Sequence, residues 1–235
     1  MKRRALLLIP CAVLVLALSG CGTTKPSKKA DDYQSEVSRL KKQMDDLRQE
    51  KDAEIARIEA QRERDLERFQ ESKGMEISEL EKAKKELADS LEKEIGDYKA
   101  KLEMTERGLV ITFLAEVFFA PGKDVISSSG KESLKKVAEV LNKEVVNSNV
   151  AVEGHTDSDP IKVSGWKSNW ELSSARALSV LHFMIDDCAV APQRLSANGC
   201  GEYKPVVAND TPENKRQNRR VEIIILPEQL SKVKK

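Results

Sequence analysis

The sequence predicts an α+β fold, a two-layer sandwich in the order β-α-β-α-β-β, preceded by a long charged α-helix or coiled coil. Three observations predict it. Residues 31–104 contain no Pro, and only Gly74 and Gly96 as breakers, among side chains that favour helix. Beyond Leu109, short apolar runs alternate with amphipathic stretches, the pattern of strands and helices packed in layers. Two Ser-x-x-Glu sequences, Ser129 to Glu132 and Ser168 to Glu171, mark helix starts, because the hydroxyl and the carboxylate can each accept a backbone N–H that the first turn leaves unpaired.

Composition narrows the function classes. Charged residues make up 34% of the 235 residues, yet the formal net charge is only +1, so nothing favours a polyanion and nucleic acid is excluded as a partner. At the start, Lys2-Arg3-Arg4 precede an almost wholly apolar Ala5–Ala17, the basic front and short apolar middle of a secretory signal. That stretch is too short to serve as a stable spanning anchor. Leu18-Ser19-Gly20-Cys21 resembles the lipobox of bacterial lipoproteins. The resemblance implies that residues 1–20 are a lipoprotein signal peptide and that Cys21 becomes the acylated first residue, held in a lipid bilayer by palmitate-type chains. Gly22 after the cysteine, where an Asp would retain the protein, implies the outer membrane with the chain facing the periplasm. Cys188 and Cys200 then remain, a candidate disulfide in an oxidising compartment or else two small apolar fillers.

Residues 21–30 lack large apolar side chains and read as a flexible tether. In residues 31–104, Leu47, Ile58, Phe69, Leu80, Leu91 and Leu102 recur every eleven residues, with Met44, Ile55, Leu66, Ile77 and Ala88 three residues earlier. Eleven residues in three turns give about 3.67 per turn, so the expected supercoil is nearly straight or weakly right-handed. The stripe is thin, and dense Glu and Lys or Arg pairs worth a few tenths of a kcal/mol each can hold a single helix. A homo-oligomeric coiled coil through residues 31–104 and a lone charged helix both remain open. In either case some seventy residues make a rod of about 110 Å, at 1.5 Å per residue.

The globular domain is placed at 105–228, with a polar tail at 229–235. Leu109–Leu114 and Glu116–Phe119 read as strand, followed by a turn at Ala120-Pro121-Gly122. The helix from Ser129 buries Leu134, Val137, Ala138, Leu141 and Val145, and a strand then runs to Glu153. A second helix from Ser168 repeats Leu172, Ala175, Leu178 and Leu181 at helical spacing, with Arg176 two turns inside. A strand at Arg194–Ala197, a loop from Gly199 to Arg216 and a strand at Val221–Leu226 complete the domain.

The candidate site is the loop His155-Thr156-Asp157-Ser158-Asp159 past one strand, answered by the Arg176 helix. A fixed carboxylate on one element and a guanidinium fork on the next suit a ligand carrying both an ammonium and a carboxylate, the head of a free amino acid. The bland alternative is a salt bridge bracing loop to helix, worth less than about 1 kcal/mol at a surface. Four motifs favour the ligand. Gly154-His-Thr-Asp157, Asn169-x-x-Leu-Ser-x-x-Arg-Ala177, Gly199-x-Gly-Glu-x-x-Pro205 and Asn218-Arg-Arg-Val-Glu222, in that order, resemble the OmpA-like peptidoglycan-binding domain. The resemblance implies that Asp157 and Arg176 hold the free amino-acid end of diaminopimelate in the peptidoglycan stem peptide, with Asn169 and the backbone around Thr156 orienting it. Asp159–Trp166 and Ser168–Ser173 are similar to the flagellar-motor stator branch of that family.

Arg219 and Arg220 lie on opposite faces of an entering strand, and Arg220, adjoining the regular strand, is taken as the one that faces the ligand. Trp166 and Trp170 are read as packing for the inserted loop, with sugar stacking as the alternative. His155 is expected to orient its turn through backbone hydrogen bonds. No metal site is expected, because the other histidine, His182, lies on a helix and no cysteine pair has zinc spacing. No nucleophile-and-base arrangement accompanies Asp157 and Asp159, so neither an enzyme nor a cofactor is expected. These readings combine into an outer-membrane lipoprotein that tethers the membrane to the cell wall. The alternative is a wall anchor or scaffold in a motor or secretion assembly; an ion-conducting stator is disfavoured, because Ala5–Gly20 contains no acid.

Overall fold

The computed structural model describes residues 28–162 and 164–227. Two compact units divide between Arg64 and Asp65. Helix α1 runs Lys28–Ser90, and α2 follows at Glu92–Gly96. Along the first part of α1 the repeat residues Leu47, Ile58 and Phe69 are exposed, whereas Leu80, Ala83, Leu87 and Leu91 are buried in the core of the second unit. The spacing of these four is one face of a helix. Ion pairs from Lys82 to Glu144 (2.6 Å) and from Glu86 to Lys143 (3.1 Å) flank that face.

The helix therefore stops fourteen residues short of the expected Met104, and the span assigned to the rod also supplies strand β1, Ala100–Thr105. Ala100-Lys-Leu-Glu-Met-Thr105 alternates apolar and polar side chains, a period-two signal masked by Leu102 falling on the eleven-residue row. Gly108, with φ +115°, closes the turn into β2, Gly108–Leu114. The five-stranded mixed sheet has the order β1-β2-β5-β3-β4. Here β3 is Asn149–Gly154, β4 is Leu195–Gly199 and β5 is Arg220–Leu226. Only β3 and β4 run parallel; the other neighbours are antiparallel.

Strand alternation sorts the sheet into two faces. Leu109, Ile111, Phe113, Val150, Val152, Val221, Ile223 and Ile225 point into the main core, shared with helices α4 (Ser128–Lys143) and α5 (Asn169–Asp186). Val110, Ala151 and Ile224 form a small apolar patch on the other face, with no helix residue in it. This is the expected two-layer arrangement.

Three local expectations are corrected. Glu116–Phe119 is not a strand: Ala115–Phe118 forms one helical turn, α3. Val117, Phe118 and Phe119 are all buried, which a period-two strand at one core face cannot achieve. The cap of α4 is Ser127, whose Oγ accepts from the Gly130 N–H at 3.0 Å; Ser129 lies inside the first turn. Finally, the buried face of α5 is Leu172, Ser173, Arg176, Ala177, Val180, Phe183 and Met184, while Leu178 is exposed. The cap of α5 is Ser168, as read from the sequence; its hydroxyl accepts from the Glu171 N–H at 3.4 Å, and Glu171 accepts from the Lys167 N–H at 2.9 Å.

Helix α5 crosses the ends of β3 and β4 at a distance only glycine permits. A Cβ on Gly154 would stand 2.2 Å from the Ser173 carbonyl oxygen, and one on Gly199 would stand 2.0 Å from Ser174 Oγ. Gly199→Ala is expected to destabilise the domain by at least ~1–3 kcal/mol, the cost of overpacking a filled contact, read as a lower urea midpoint at unchanged m.

Candidate functional site

Past Gly154 the chain leaves the sheet. The His155 N–H donates to the Arg220 carbonyl at 2.9 Å and the Thr156 N–H to the Gly201 carbonyl at 3.0 Å, so the loop is pinned between β5 and the turn after β4. Ser173 Oγ accepts from the Gly201 N–H at 3.0 Å, tying that turn to α5. Asp157 and the start of α5 are thereby brought together at one end of the sheet.

A cleft of about 860 Å³ opens there, lined among others by Thr156, Asp157, Asn169, Leu172, Arg176 and Arg219. Asp157 is buried; its Oδ1 accepts from the Asp159 N–H at 3.2 Å, and its Oδ2 pairs with Arg219 Nη1 at 2.5 Å. Arg176 is also buried: its Nε donates to the Lys123 carbonyl at 2.9 Å and its guanidinium sits over the Phe119 ring, 5.1 Å from the centroid. Its two Nη groups make no hydrogen bond among the described residues. Burial first, and then the charge of Arg219, lower the Arg176 pKa to about 10, against the pull of Asp124 and Asp157. The Thr156 hydroxyl is buried without a hydrogen-bond partner. Asn169 Nδ2 donates to the Asp159 carbonyl at 3.1 Å and to Glu202 at 3.0 Å, holding the loop to the turn after β4. Two guanidinium groups and one carboxylate thus line one cleft, with Thr156 beside them, an arrangement that accepts an anion with a cation beside it.

Residues 118–219 match the OmpA family model. The chain carries a domain of the OmpA family. Motility protein B of Bacillus subtilis is 38% identical over 157 residues, covering 66% of this chain and 59% of that protein. A probable lipoprotein, YiaD of Escherichia coli K12, is 35% identical over 119 residues, covering 51% of this chain and 52% of that protein. Among solved structures, the cell wall anchor of the T6SS from Pseudomonas aeruginosa is 32% identical with a TM-score of 0.55, over 60% of this chain and 97% of that one. The chain spans 59% and 52% of the length of the two curated relatives. All three are named as motility, lipoprotein or anchor proteins rather than as enzymes.

In this OmpA family domain, Thr156, Asp157, Asn169 and Arg176 meet at the cleft. Arg220 does not. It is buried on the other face of the sheet, its Nε 2.7 Å from Glu222 Oε1 and its Nη2 3.1 Å from the Lys204 carbonyl. Arg219, one residue earlier, faces the cleft, because the alternation of β5 extends through its first residue. The expectation that Arg220 faces the ligand is corrected to Arg219. His155 likewise points away from the cleft, and neither ring nitrogen has a hydrogen-bond partner, so it does not orient the turn through the backbone.

Cys188 and Cys200 are free thiols. Cys200 adjoins the first turn of α5 and Cys188 follows its last, and an eighteen-residue helix, about 27 Å long, lies between them. A disulfide requires Cα atoms within about 7 Å, so the candidate bridge is not formed. Trp166 donates to the Gly122 carbonyl at 3.0 Å and packs its loop; Trp170 stacks on Tyr203 with ring centroids 5.1 Å apart. Cys21 lies outside the described residues. Helix α6, Pro212–Asn218, stands where a loop was expected, and its Lys215 and Arg216 pair with Asp159 (2.7 Å) and Glu116 (2.5 Å) at the cleft rim. Its signal was present in Thr211-Pro212-Glu213: an N-cap threonine, a proline at the first position and an acid in the first turn.

The two arginines are expected to separate on mutation. Arg220→Ala leaves Glu222 buried without its fork and is expected to cost ~3–5 kcal/mol. Arg219→Ala removes a half-exposed partner and is expected to cost about 1 kcal/mol. Urea unfolding of both variants measures the difference.

Proposed function

We propose that the chain binds peptidoglycan non-covalently, gripping the free amino-acid end of the diamino acid in the stem peptide and, through lipid on Cys21, tethering the outer membrane to the wall. The observation that carries this reading is the convergence of Asp157, Arg176, Arg219 and the unpaired Thr156 hydroxyl on one cleft. The ligand carboxylate takes the Nη groups of Arg176, already oriented by the Lys123 carbonyl and the Phe119 ring. Its ammonium shares Asp157 with Arg219, since a carboxylate offers about four lone-pair positions. Thr156 supplies a further hydrogen bond, and Asn169 holds the loop in register. Helix α1 provides reach between lipid and wall. The signal-like start, the lipobox-like Leu18–Cys21 and the similarity to a probable lipoprotein support the membrane end.

The test is pulldown of the full chain with purified sacculi. Wild type is expected to sediment with them. Asp157→Ala and Arg176→Ala are expected to weaken binding about ten- to a hundredfold each, the value of hydrogen bonds to charged groups. Arg176→Lys is expected to weaken it as well, because a point charge does not replace the fork. No sedimentation of folded wild type would sink the reading.

A second reading is favoured by the similarity to Motility protein B and to a T6SS wall anchor: the chain is a wall anchor or scaffold subunit of a motor or secretion assembly. A protein partner that co-purifies with wild type and is lost when residues 31–64 are deleted would distinguish it. A deletion through residue 104 would also remove the buried Leu80, Leu87 and Leu91 together with β1.

The exposed row at Leu40, Met44, Leu47, Ile55, Ile58, Leu66 and Phe69 supports self-association of the rod. Sedimentation velocity is expected to give an oligomer for wild type and a monomer for the double variant Leu47→Glu with Ile58→Glu; a monomeric wild type would leave the rod as a single charged helix.

A further inference from the structure

The face of the sheet opposite the helices carries a second group of chemistry-bearing side chains. Glu153 and His155, two residues apart on and just beyond β3, project to the same side. Cys200 is laid beside them by the parallel register of β4, its N–H donating to the Gly154 carbonyl at 2.9 Å. One donor atom from each of Glu153, His155 and Cys200 lies within 4.8 Å of the others. All three residues are at most 5% exposed.

What makes the group unusual is what it leaves unmade. Glu153 Oε2 and both nitrogens of His155 are buried with no hydrogen-bond partner. Buried polar atoms are nearly always satisfied, and the unpaired Glu153 Oε2 stands 3.8 Å from the unpaired His155 Nε2, a gap that calls for a partner that is not part of the chain.

We propose that Glu153, His155 and Cys200 form a binding site for one divalent transition-metal cation of the Zn²⁺ class. A thiolate, an imidazole and a carboxylate are a borderline donor set, suited to Zn²⁺ or Co²⁺ rather than to Ca²⁺ or Mg²⁺, which take oxygen ligands. Bonds of about 2.0–2.3 Å place tetrahedral donors roughly 3.3–3.8 Å apart, so small side-chain rotations close the site. Glu222 Oε2 lies 4.0 Å from His155 Nε2, beside the group, with its other oxygen held by Arg220, and a fourth ligand can come from it or from water.

The charges balance through an exchange. Without metal, Glu153 and Glu222 are offset by Arg107, which reaches them at 2.6 Å and 3.6 Å, and by Arg220. Arg107 is half-exposed on the turn between β1 and β2 and can swing into solvent. When the cation enters, the Cys200 S–H bond breaks, its proton leaves to water and a metal–sulfur bond forms. Two carboxylates and one thiolate then face the dication and Arg220, again with no net charge. The exposed Lys204 near Cys200 can likewise turn outward. Sequence spacing gave no hint of the site, because its ligands come from two parallel strands separated by all of α5.

Co²⁺ titration of the full chain tests the proposal, since cobalt bound to a thiolate gives a sulfur-to-metal charge-transfer band. Wild type and Cys188→Ser are expected to show the band at one Co²⁺ per chain, and added Zn²⁺ to bleach it. Cys200→Ser, nearly isosteric, is expected to lose it while keeping the wild-type circular dichroism, and Arg107→Ala is expected to lower the Co²⁺ concentration at half-saturation. No band in wild type, or a band that persists in Cys200→Ser, would overturn the site.

Discussion

The contact between α5 and the ends of β3 and β4 is the constraint on which the cleft depends. Gly154 and Gly199 leave no room for a Cβ beneath Ser173 and Ser174. The helix therefore lies directly on the strand ends, and Arg176, one turn further on, is buried where β3 delivers Asp157. A methyl group at either glycine would lift the first turns of α5 from the sheet. The fork of Arg176 would then lose its place against the Lys123 carbonyl and the Phe119 ring.

A second constraint is strand alternation, which divides the charges near the sheet end into two groups that share no side chain. On the helix side, Asp157 and Arg219 pair at the cleft. On the opposite side, the buried Glu153, Glu222 and Arg220 and the half-exposed Arg107 form a network around His155. Burial, reinforced by the charges of Arg220, Lys204 and Arg107, lowers the His155 pKa to about 3, so the imidazole is neutral at physiological pH. Neighbouring arginines in the sequence thus have unrelated surroundings: Arg219 is partly exposed and lines the cleft beside Asp157, while Arg220 neutralises a buried acid.

The long helix belongs to both halves of the chain's organisation. Its eleven-residue apolar row is exposed at Leu47, Ile58 and Phe69, but the same row buries Leu80 and Leu91 in the core. One periodic pattern therefore serves two environments, and periodicity cannot distinguish a side chain awaiting a second helix from one already packed on a sheet. Ion pairs to the end of α4 and the short α2 fix where the change occurs.

The sequence by itself determined a long charged helix before the globular domain, the mixed two-layer domain, the Ser168 cap of α5 and the placing of Asp157 and Arg176 at one end of the sheet. These follow from local chemistry: period, capping hydroxyls, breakers and motif spacing act within a few residues. Tertiary structure alone decided the rest. It turned Ala115–Phe118 into a helical turn so that consecutive aromatics could share one core, and it separated Cys188 from Cys200 by the length of α5. It also chose Arg219 over Arg220 for the cleft and set Cys200 beside Glu153 and His155. Each outcome depends on which face of an element meets which neighbour, and that is set by register and packing between segments distant in sequence, where a shift of one residue reverses the face.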